Sequence, residues 1–315
     1  MKIVFMGTPD FAVPSLKAII AENRWEVALV VTNPDEPQGR GLKPSPPPIK
    51  VAGHQLGLRV AQVANLDDPD FYASLEAVSP DVLVVVAFRI LPAKLLSIAK
   101  LASFNLHASL LPKYRGAAPV NWAIINGEKE TGVTTFLLEE GVDRGKILVQ
   151  KKTEIGEDET AGEVLDRLSH LGAEAVIETL KQIEMGNYTP IPQDESKASK
   201  APKIRKQDCL LEWDKPAENI HNFIRAFSPD PGAYTFFRGK MLKIYRTRKT
   251  NIPSSGFLPG QLLVIDSGLY VSTADYLLMI EELQLEGKKK LLASQFVQGA
   301  RLQPGEKLER MQRRV

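Results

Sequence analysis

Along the first half of the chain, short apolar runs alternate with segments of helical periodicity. The runs are rich in β-branched residues and show little alternation with polar residues, which predicts strands covered on both faces. They are KIVFMG (2–7), EVALVVTN (26–33), DVLVVVAF (81–88) and SFNLHAS (103–109). Apolar residues recur at helical spacing within 11–21 and 160–186. The pattern predicts an α/β fold with a Rossmann-like, doubly wound parallel sheet.

The pattern changes after residue 187. Residues 188–206 are rich in proline and lysine and lack periodicity, which predicts a linker between a first domain (1–187) and a second domain (207–315). The second domain begins with a helical stretch at 217–227 and continues with short alternating runs, such as AYTFF and KMLKIYR. Such runs predict a small C-terminal antiparallel β-barrel, similar to an OB fold.

Charge is divided unevenly along the 315 residues, although the net charge is only +2. Residues 1–200 hold 21 Lys and Arg against 26 Asp and Glu, whereas residues 201–315 hold 19 against 12. The basic excess favours contact of the second part with a polyanion, although a solvated surface has the same composition. Cys209 is the one cysteine, which excludes an internal disulfide, and its apolar run CLLEW predicts a small core residue.

No segment of the sequence is typical of export or of membrane insertion. The apolar run before the first glycine is too short for the core of a signal peptide. The longest apolar run, VLVVVAF at 82–88, falls short of the roughly 20 residues of a membrane helix. We therefore expect a cytoplasmic protein.

Motifs of several enzyme classes are missing from the sequence. Gly7 follows the first predicted strand, but Pro9 stands where the fingerprint G-x-G-x-x-G needs a second glycine, which argues against a dehydrogenase. The sequence also lacks a G-x-x-x-x-G-K-[ST] loop, a G-x-S-x-G elbow and an H-E-x-x-H pair. Nucleotide and zinc chemistry are thereby disfavoured.

Three polar residues in the middle of the chain suit acyl transfer. Asn105 and His107 are two apart in a predicted strand and project from the same face. An amide N–H stabilises an oxyanion, and an imidazole exchanges protons near neutral pH. Asp143 lies between Gly141 and Gly145 on a loop from which its carboxylate can reach and orient His107. The alternatives are a hydrogen-bonded Asn and His at a strand end, and an ordinary turn aspartate.

Segment 103–148 contains N-x-H, S-x-L-P-x-x-R-G and D-x-G. With these motifs the chain resembles the methionyl-tRNA formyltransferases of the formyltransferase superfamily, from its first strand to its C-terminal domain. The matching residues are Asn105, His107, Ser109, Leu111, Pro112, Arg115, Gly116, Asp143 and Gly145. The resemblance implies that Asn105, His107 and Asp143 are the catalytic trio.

The same resemblance implies a folate site with two walls. One wall would be Ser109, Leu110, Leu111 and Pro112. The other would be the loops 86–92 and 137–142 around the pterin, with contacts from Phe88, Ile90 and Leu91. The run AFRILP (87–92) is one residue shorter than the family's A-Y-G-x-I-L-P and lacks its glycine, so this loop is the least well matched part of the site.

Two further segments of the resemblance imply a tRNA substrate. The run TNPDEPQGRGLKPSPPPIK (32–50) is similar to an insertion, P-D-x-P-x-G-R-G-x-K, that contacts the acceptor end of initiator tRNA, which assigns Arg40 and Lys43 to that contact. An ordinary solvated loop is the alternative. The run FRGKMLKIYRTRK (237–249) places several basic residues on the barrel. Those expected to bind tRNA are Arg238, Lys240, Lys243, Arg246 and Arg248.

The resemblance implies formyl transfer from 10-formyltetrahydrofolate to the amino group of methionyl-initiator-tRNA, which supplies N-formylmethionyl-tRNA for translation initiation. We expect direct transfer through a tetrahedral intermediate, because neither Ser nor Cys stands out as a nucleophile. We also expect no metal and a monomer. One alternative is a formyltransferase for an amino-sugar nucleotide or a glycinamide ribonucleotide, which would not need the Arg40 loop. Another is a non-catalytic RNA-binding protein, which would not need the trio.

Overall fold

The computed structural model describes residues 1–38 and 43–310, and the chain divides into two compact units. The first unit contains Met1–Gly116, Glu130–Glu154 and Leu165–Ala201. The second contains Ala117–Lys129, Ile155–Val164 and Pro202–Val315. No helix within the described ranges combines the length and the apolar character that a membrane span requires.

This division differs from the boundaries expected from the sequence, which were 1–187, 188–206 and 207–315. Most of the expected linker belongs to the first unit, because backbone hydrogen bonds hold it there. Ile191 and Ile147 exchange two such bonds of 2.8 Å, and the Ala201 N–H donates to the Arg115 carbonyl at 2.7 Å. Two internal segments that were expected in the first domain, 117–129 and 155–164, group with the second unit.

The first unit contains a seven-stranded sheet and a two-stranded hairpin. The strands are β1 (Lys2–Gly7), β2 (Glu26–Thr32), β3 (Glu36–Gln38), β4 (Lys43–Ser45), β5 (Val60–Gln62), β6 (Val82–Val86), β7 (Ala102–His107), β8 (Glu130–Leu137) and β9 (Ile147–Glu154). The sheet order is β5-β2-β1-β6-β7-β8-β9, and β3 pairs with β4. The first five strands are parallel, which confirms the predicted sheet, and β8 and β9 extend it with antiparallel pairs.

Six α-helices lie between residues 1 and 201 in the described part of the chain. They are α1 (Val13–Ala21), α2 (Pro48–Gln55), α3 (Pro69–Val78), α4 (Ala93–Leu96), α5 (Pro119–Ile125) and α6 (Ala161–Glu184). Helix α3 shows how the sequence sets a boundary: the Asp68 carboxylate accepts a hydrogen bond of 3.0 Å from the Asp70 N–H, and Pro69 fills the first helical position. The long α6 matches the amphipathic segment expected at 160–186.

One face of the sheet is packed by alternate residues of three parallel strands, because successive side chains of a strand point to opposite faces. Phe71 and Leu75, which are one turn apart on α3, cover these residues. The strand residues of this cluster are Val4, Met6, Leu29, Val31, Leu83 and Val85. Full burial of one such side chain contributes about 1.5–3 kcal/mol. Every residue of β6 is buried, as its apolar run predicted.

Strand β7 carries two of the candidate residues to the carboxyl edge of the sheet. It lies between β6 and β8, where Asn105 pairs with Val85 and Phe136, and it ends at His107. Leu106 points towards α6, which approaches closely because residue 172 is glycine. A Cβ atom at Gly172 would lie 2.6 Å from the Leu106 side chain. Asn105 and His107 therefore lie on the face of β7 away from α6.

The second unit contains helices and an antiparallel sheet. The elements after residue 201 are α7 (Ala217–Ala226), β10 (Ala233–Phe237), β11 (Lys240–Pro253), β12 (Leu262–Ile265), β13 (Gly268–Ser272), β14 (Tyr276–Leu285), β15 (Leu291–Leu292) and α8 (Ala293–Ala300). The strand order is β10-β11-β14-β13-β12, with β15 on β14. Ile220 and Ile224, which are one turn apart on α7, join the buried cluster that the strands form. Cys209 belongs to the same cluster, as expected, and burial raises the pKa of its thiol to about 11.

Residues 306–309 join the two edges of this antiparallel sheet. On one side, Phe236 and Glu309 exchange backbone hydrogen bonds of 2.9 and 2.8 Å. On the other side, the Leu262 N–H donates to the Glu306 carbonyl and the Leu308 N–H donates to the Gly260 carbonyl, each at 2.8 Å. Because both edges are paired, the sheet closes into the predicted C-terminal barrel.

Candidate active site

His107 is a buried histidine whose two ring nitrogens face different groups. Its exposed fraction is 7%. The Nε2 atom lies 2.9 Å from the carbonyl oxygen of Tyr114, and because a carbonyl only accepts, Nε2 carries a proton and donates it. The Nδ1 atom lies 3.7 Å from Oδ2 of Asp143, which is an ion-pair distance but too long for a hydrogen bond. Nδ1 is therefore the nitrogen that can take up or release a proton.

Asp143 is held beside His107 by an unusual backbone conformation. Its φ angle is +53°, in the left-handed region that residues other than glycine adopt rarely. Its Oδ2 atom accepts a hydrogen bond of 2.8 Å from the Gly116 N–H. Gly145 completes the D-x-G turn, because a Cβ atom there would lie 1.6 Å from the Leu137 carbonyl oxygen at the end of β8. Only glycine fits this position, so the turn that follows Asp143 depends on it.

The carboxamide of Asn105 has no hydrogen-bond partner among the described residues, and its oxygen is buried. More than nine-tenths of buried polar groups in native proteins are hydrogen-bonded, so a carboxamide without a partner requires an explanation. Asn105 stands two residues before His107 on the same face of β7. A polar group that the fold leaves unsatisfied at this place is suited to bind a polar atom of a substrate.

A tightly bonded turn follows β7 and contains the residues expected to line a folate site. Ser109 is 1% exposed, and its hydroxyl donates to the Lys113 carbonyl at 2.7 Å. The Leu111 N–H donates to Oγ1 of Thr134 at 3.1 Å, and Gln150 donates to both Thr134 and the Leu111 carbonyl. Leu110 and Pro112 are partly buried. The Ser109 hydroxyl is thus used inside the turn, and folate contact by these four residues stays a prediction.

The loops 86–92 and 137–142 meet in one apolar cluster. Leu91 is buried there, and Phe88 and Leu138 pack against it, whereas Ile90 is 74% exposed. Arg89, in the part of the loop that departs from the family pattern, anchors it by donating to the backbone carbonyls of Val63 and Ala64. Ala87, with a φ angle of +48°, makes the turn that leads into this loop. An arginine side chain therefore holds a loop that is one residue shorter than expected.

Most of the basic residues expected to bind tRNA on the barrel are already engaged within the second unit. Arg238 binds Glu306, Arg246 binds Glu163, and Arg248 binds Glu281. Lys243 donates to the carbonyl of Pro231 at 2.6 Å, and Lys240 is exposed. Arg40 lies outside the described residues, as does the side chain of Lys43. The tRNA contacts of all these residues stay predictions.

Basic residues without an ion pair occur just before the barrel, within the segment 188–206 that was predicted to be a linker. Lys203, Arg205 and Lys206 are exposed and have no ion pair with any described residue. The basic excess after residue 200 was the signal for them. The sequence also gave no sign that Tyr114 would bind His107, because a backbone carbonyl leaves no trace in residue type.

Together these contacts define what the site can do. A carboxamide without a partner, a histidine with one nitrogen open to proton exchange and a carboxylate beside it suit the stabilisation of an oxyanion and the movement of one proton. The described residues contain no group of three or more His, Cys, Asp or Glu placed to hold a metal ion. No serine or cysteine side chain is hydrogen-bonded to His107 among the described residues.

Two family models match the chain: formyl transferase over residues 1–180, and formyl transferase, C-terminal domain, over residues 203–301. The chain therefore belongs to the formyl transferase family. Within it, the chain is 48% identical over 305 residues to the methionyl-tRNA formyltransferase of Chlorobium luteolum, which covers 96% of this chain and 97% of the relative. It is 46% identical over 310 residues to that of Geobacter metallireducens, with 98% of both chains covered.

Two solved structures share this fold at lower sequence identity. WlaRD, a sugar 3N-formyl transferase, has a TM-score of 0.67 at 21% identity and covers 92% of this chain and 99% of that chain. HypX from Aquifex aeolicus, solved in complex with tetrahydrofolic acid, has a TM-score of 0.66 at 19% identity and covers 94% of this chain and 47% of that chain. At these identities the likeness shows the fold alone.

Proposed function

We propose that this chain transfers the formyl group of 10-formyltetrahydrofolate to the α-amino group of methionyl-initiator-tRNA, giving N-formylmethionyl-tRNA for translation initiation. The observation that carries the proposal is the unpartnered carboxamide of Asn105, two residues before a histidine whose Nδ1 faces Asp143 at 3.7 Å. The near full-length identity of 46–48% to methionyl-tRNA formyltransferases supports the substrate assignment.

The residues present suit a formyl donor and an amine acceptor. The buried oxygen of Asn105 lacks a hydrogen-bond donor among the described residues, and the N–H groups of the attacking amine can supply one. The apolar cluster of Phe88, Leu91 and Leu138 lies where the loops 86–92 and 137–142 meet, and a flat pterin ring needs such a surface. We assign the pterin to these loops and the formyl group to the region between Asn105 and His107.

The chemistry follows from where the protein's own groups lie. The amine nitrogen forms a bond to the formyl carbon, and negative charge develops on the formyl oxygen. The Asn105 N–H is assigned to this oxygen, and a donor of this kind contributes about 2.7–4 kcal/mol to lowering the barrier. As the bond to the folate N10 breaks, the proton released by the amine is transferred to N10. Overall one C–N bond forms and one breaks.

We assign this proton transfer to His107 and Asp143. The Tyr114 carbonyl fixes one proton on Nε2, so the exchangeable proton is the one on Nδ1. When Nδ1 is protonated, the Asp143 carboxylate at 3.7 Å balances the charge of the imidazolium. The Gly116 N–H keeps that carboxylate in place. No step of this route requires a metal.

The tRNA is assigned to basic residues of the second unit and to Arg40 and Lys43. The side chains of Lys203, Arg205 and Lys206 are exposed, form no ion pair with a described residue, and are available to bind phosphates. Arg246 and Arg248 must exchange a glutamate for a phosphate before they bind RNA. We further propose that the enzyme is monomeric and works in the cytoplasm, where charged tRNA is used.

The test is incubation of the protein with 10-formyltetrahydrofolate and charged initiator methionyl-tRNA, followed by measurement of blocked α-amino groups. An amino-sugar nucleotide and glycinamide ribonucleotide serve as competing acceptors. We expect formylation of the tRNA and not of the other two. Formylation of only a sugar nucleotide would assign the chain to the chemistry of WlaRD, and tRNA binding without any transfer would favour a non-catalytic RNA-binding protein.

A further inference from the structure

The segment after Tyr188 contributes directly to the framework of the active site. The Ser199 hydroxyl accepts a hydrogen bond of 2.9 Å from the Tyr114 N–H, and the Ser199 carbonyl accepts one of 2.9 Å from the Arg115 N–H. These bonds hold Tyr114 and Arg115 in a short stretch, 114–116, that contacts two members of the trio. The Tyr114 carbonyl binds His107, and the Gly116 N–H binds Asp143.

Gln193 uses its whole carboxamide within this framework. Its Nε2 atom donates to two carbonyls of the catalytic loop, those of Asp143 and Gly145, each at 2.8 Å. Its Oε1 atom accepts from Nε and Nη2 of Arg115 at 3.1 and 2.7 Å. Both amide hydrogens and the amide oxygen are therefore engaged. The side chain joins the Asp143 loop to the residue between Tyr114 and Gly116.

Arg115, which binds Gln193, is itself held in place by an ion pair. The residue is 9% exposed, and a buried guanidinium is stable only when its charge and its N–H groups are matched. Glu195 supplies the charge through two hydrogen bonds of 2.8 and 2.9 Å. The hydrogen bonds from Arg115 lower the pKa of the Glu195 carboxyl, so the pair stays charged at neutral pH. Gln193 supplies the remaining acceptor.

We propose that Gln193 is a positioning residue, which places the Asp143 carboxylate relative to His107. The inference rests on the proposed function. Asp143 needs such support because its φ of +53° is a conformation that the chain does not favour by itself. The Gln193 amide binds the carbonyls of Asp143 and Gly145, which lie on both sides of the exposed Arg144. Misplacement of a catalytic group by about 1 Å costs as much as hundredfold in rate.

The test uses the full-length chain and separates kcat from KM. Gln193→Ala removes all four hydrogen bonds, and Gln193→Met removes them at nearly constant size. We expect kcat to fall about tenfold to hundredfold in both variants, with the KM for the formyl donor changed by less than about threefold. Asp194→Ala is the matched control, because Asp194 lies on the same segment but binds only Ser196 and Lys197. It should retain wild-type kcat.

A double-mutant cycle then asks whether Gln193 acts through Asp143. In an Asp143→Asn background, Gln193→Ala should change kcat by less than about twofold, because the group that it positions has already lost its charge. Full additivity of the two substitutions would overturn the proposal. So would loss of the cooperative unfolding transition in both Gln193 variants, since that result would assign the residue a purely structural role.

The failure of this inference is distinguishable from failure of the proposed function. Wild-type protein that does not formylate methionyl-tRNA would contradict the proposed function. Active wild-type protein together with unaffected Gln193 variants would contradict only the positioning role.

Discussion

Each unit of this protein contains a buried histidine beside an aspartate, and the two sites differ in what the ring nitrogens contact. His221, on α7, is 1% exposed, and both of its nitrogens lie near hydrogen-bonding groups: Thr247 Oγ1 at 3.0 Å and the Glu157 carbonyl at 3.1 Å. His107 has one such contact, and its Nδ1 faces only a carboxylate at 3.7 Å. Both histidines are therefore buried beside an aspartate. They differ because His107 has a ring nitrogen, Nδ1, without a hydrogen-bond partner among the described residues.

The same contrast separates other polar groups of the molecule. Asn105 has a carboxamide without a partner, whereas Asn222 accepts a hydrogen bond of 2.9 Å from Arg225. Arg246 and Arg248 pair with glutamates, whereas Lys203 is exposed and unpaired among the described residues. We expect groups that the fold satisfies to maintain structure, and unsatisfied groups that solvent can reach to be available to a substrate. Four predictions test this distinction.

The largest effect is expected from exchanging the two histidines for alanine. His107→Ala should lower kcat about a hundredfold or more while the cooperative unfolding transition remains. His221→Ala should leave kcat near the wild-type value but lower the melting temperature, because it removes the partner of Thr247 and of the Glu157 carbonyl. The exposed His170 supplies a control variant, His170→Ala. A reversed pattern, with His221 controlling kcat, would refute the distinction.

Asn105→Asp is expected to have nearly as large an effect. The substitution keeps the size of the side chain but replaces its N–H donor with a second acceptor, so the oxyanion meets a negative charge. Removing one oxyanion-hole donor lowers kcat about 10²–10³-fold, and we expect a loss in this range with unfolding unchanged. Single-turnover rates at saturating donor would measure it. Wild-type turnover in the pure variant would exclude Asn105 from the chemical step.

A moderate effect is expected from the unpaired basic residues. The triple variant Lys203→Gln, Arg205→Gln, Lys206→Gln should raise the KM for methionyl-tRNA about tenfold and reduce the salt dependence of binding by about two counterions. The control is the charge-neutral double variant Lys152→Gln, Glu130→Gln in the first unit, which removes an exposed ion pair of 3.0 Å without changing net charge. It should leave both quantities nearly unchanged. Equal effects of the two variants would show that pairing does not predict RNA contact.

The smallest effect concerns stability against pH. Burial holds the pKa of His221 below its ordinary value of 6.5, and the charges of Arg225 and Lys249 lower it further. The hydrogen bond to Glu157 and the charge of Asp158 raise this pKa, but their effect is smaller. The unfolded chain then binds more protons than the folded chain below pH 6.5. Protonation of His221 in the unfolded chain therefore lowers the free energy of unfolding as the pH falls through 6.5. Above this pH the histidine has no such effect.

Melting temperatures measured from pH 8 to pH 5 in wild type and His221→Gln would check this prediction. We expect the wild-type value to fall by a few degrees more than that of the variant over the acidic half of this range. A steeper fall in the variant would show that the neighbouring aspartate, and not burial, dominates the titration of His221.

Much of the fold could be predicted from the sequence because its signals are local. The apolar run at 82–86 became β6, buried throughout, and the alternating run AYTFF became β10. The trio was expected from short motifs whose residue types have specific chemistry, and its catalytic role stays a prediction. Residues 103–107 formed the strand that places Asn105 and His107 on one face, as expected.

The remainder could not be predicted because it depends on contacts between distant residues. Gln193 and Arg115 are 78 positions apart, and Arg246 and Glu163 are 83 apart. The segment 191–201 has no apolar periodicity because backbone and side-chain hydrogen bonds, rather than packing, hold it to the first unit. Its polar composition is the same as that of a flexible linker, so the sequence pattern alone assigned it to one.

The division of the chain into units that are not contiguous has a consequence for building hybrid enzymes. The backbone passes between the two units five times, at residues 116, 129, 154, 164 and 201. A chimera made by a single crossover after residue 201 would exchange the barrel while leaving 117–129 and 155–164 from the other parent. Such a hybrid would combine interior surfaces that were never selected together. Productive recombination between relatives therefore requires these two inserts to be inherited with the barrel.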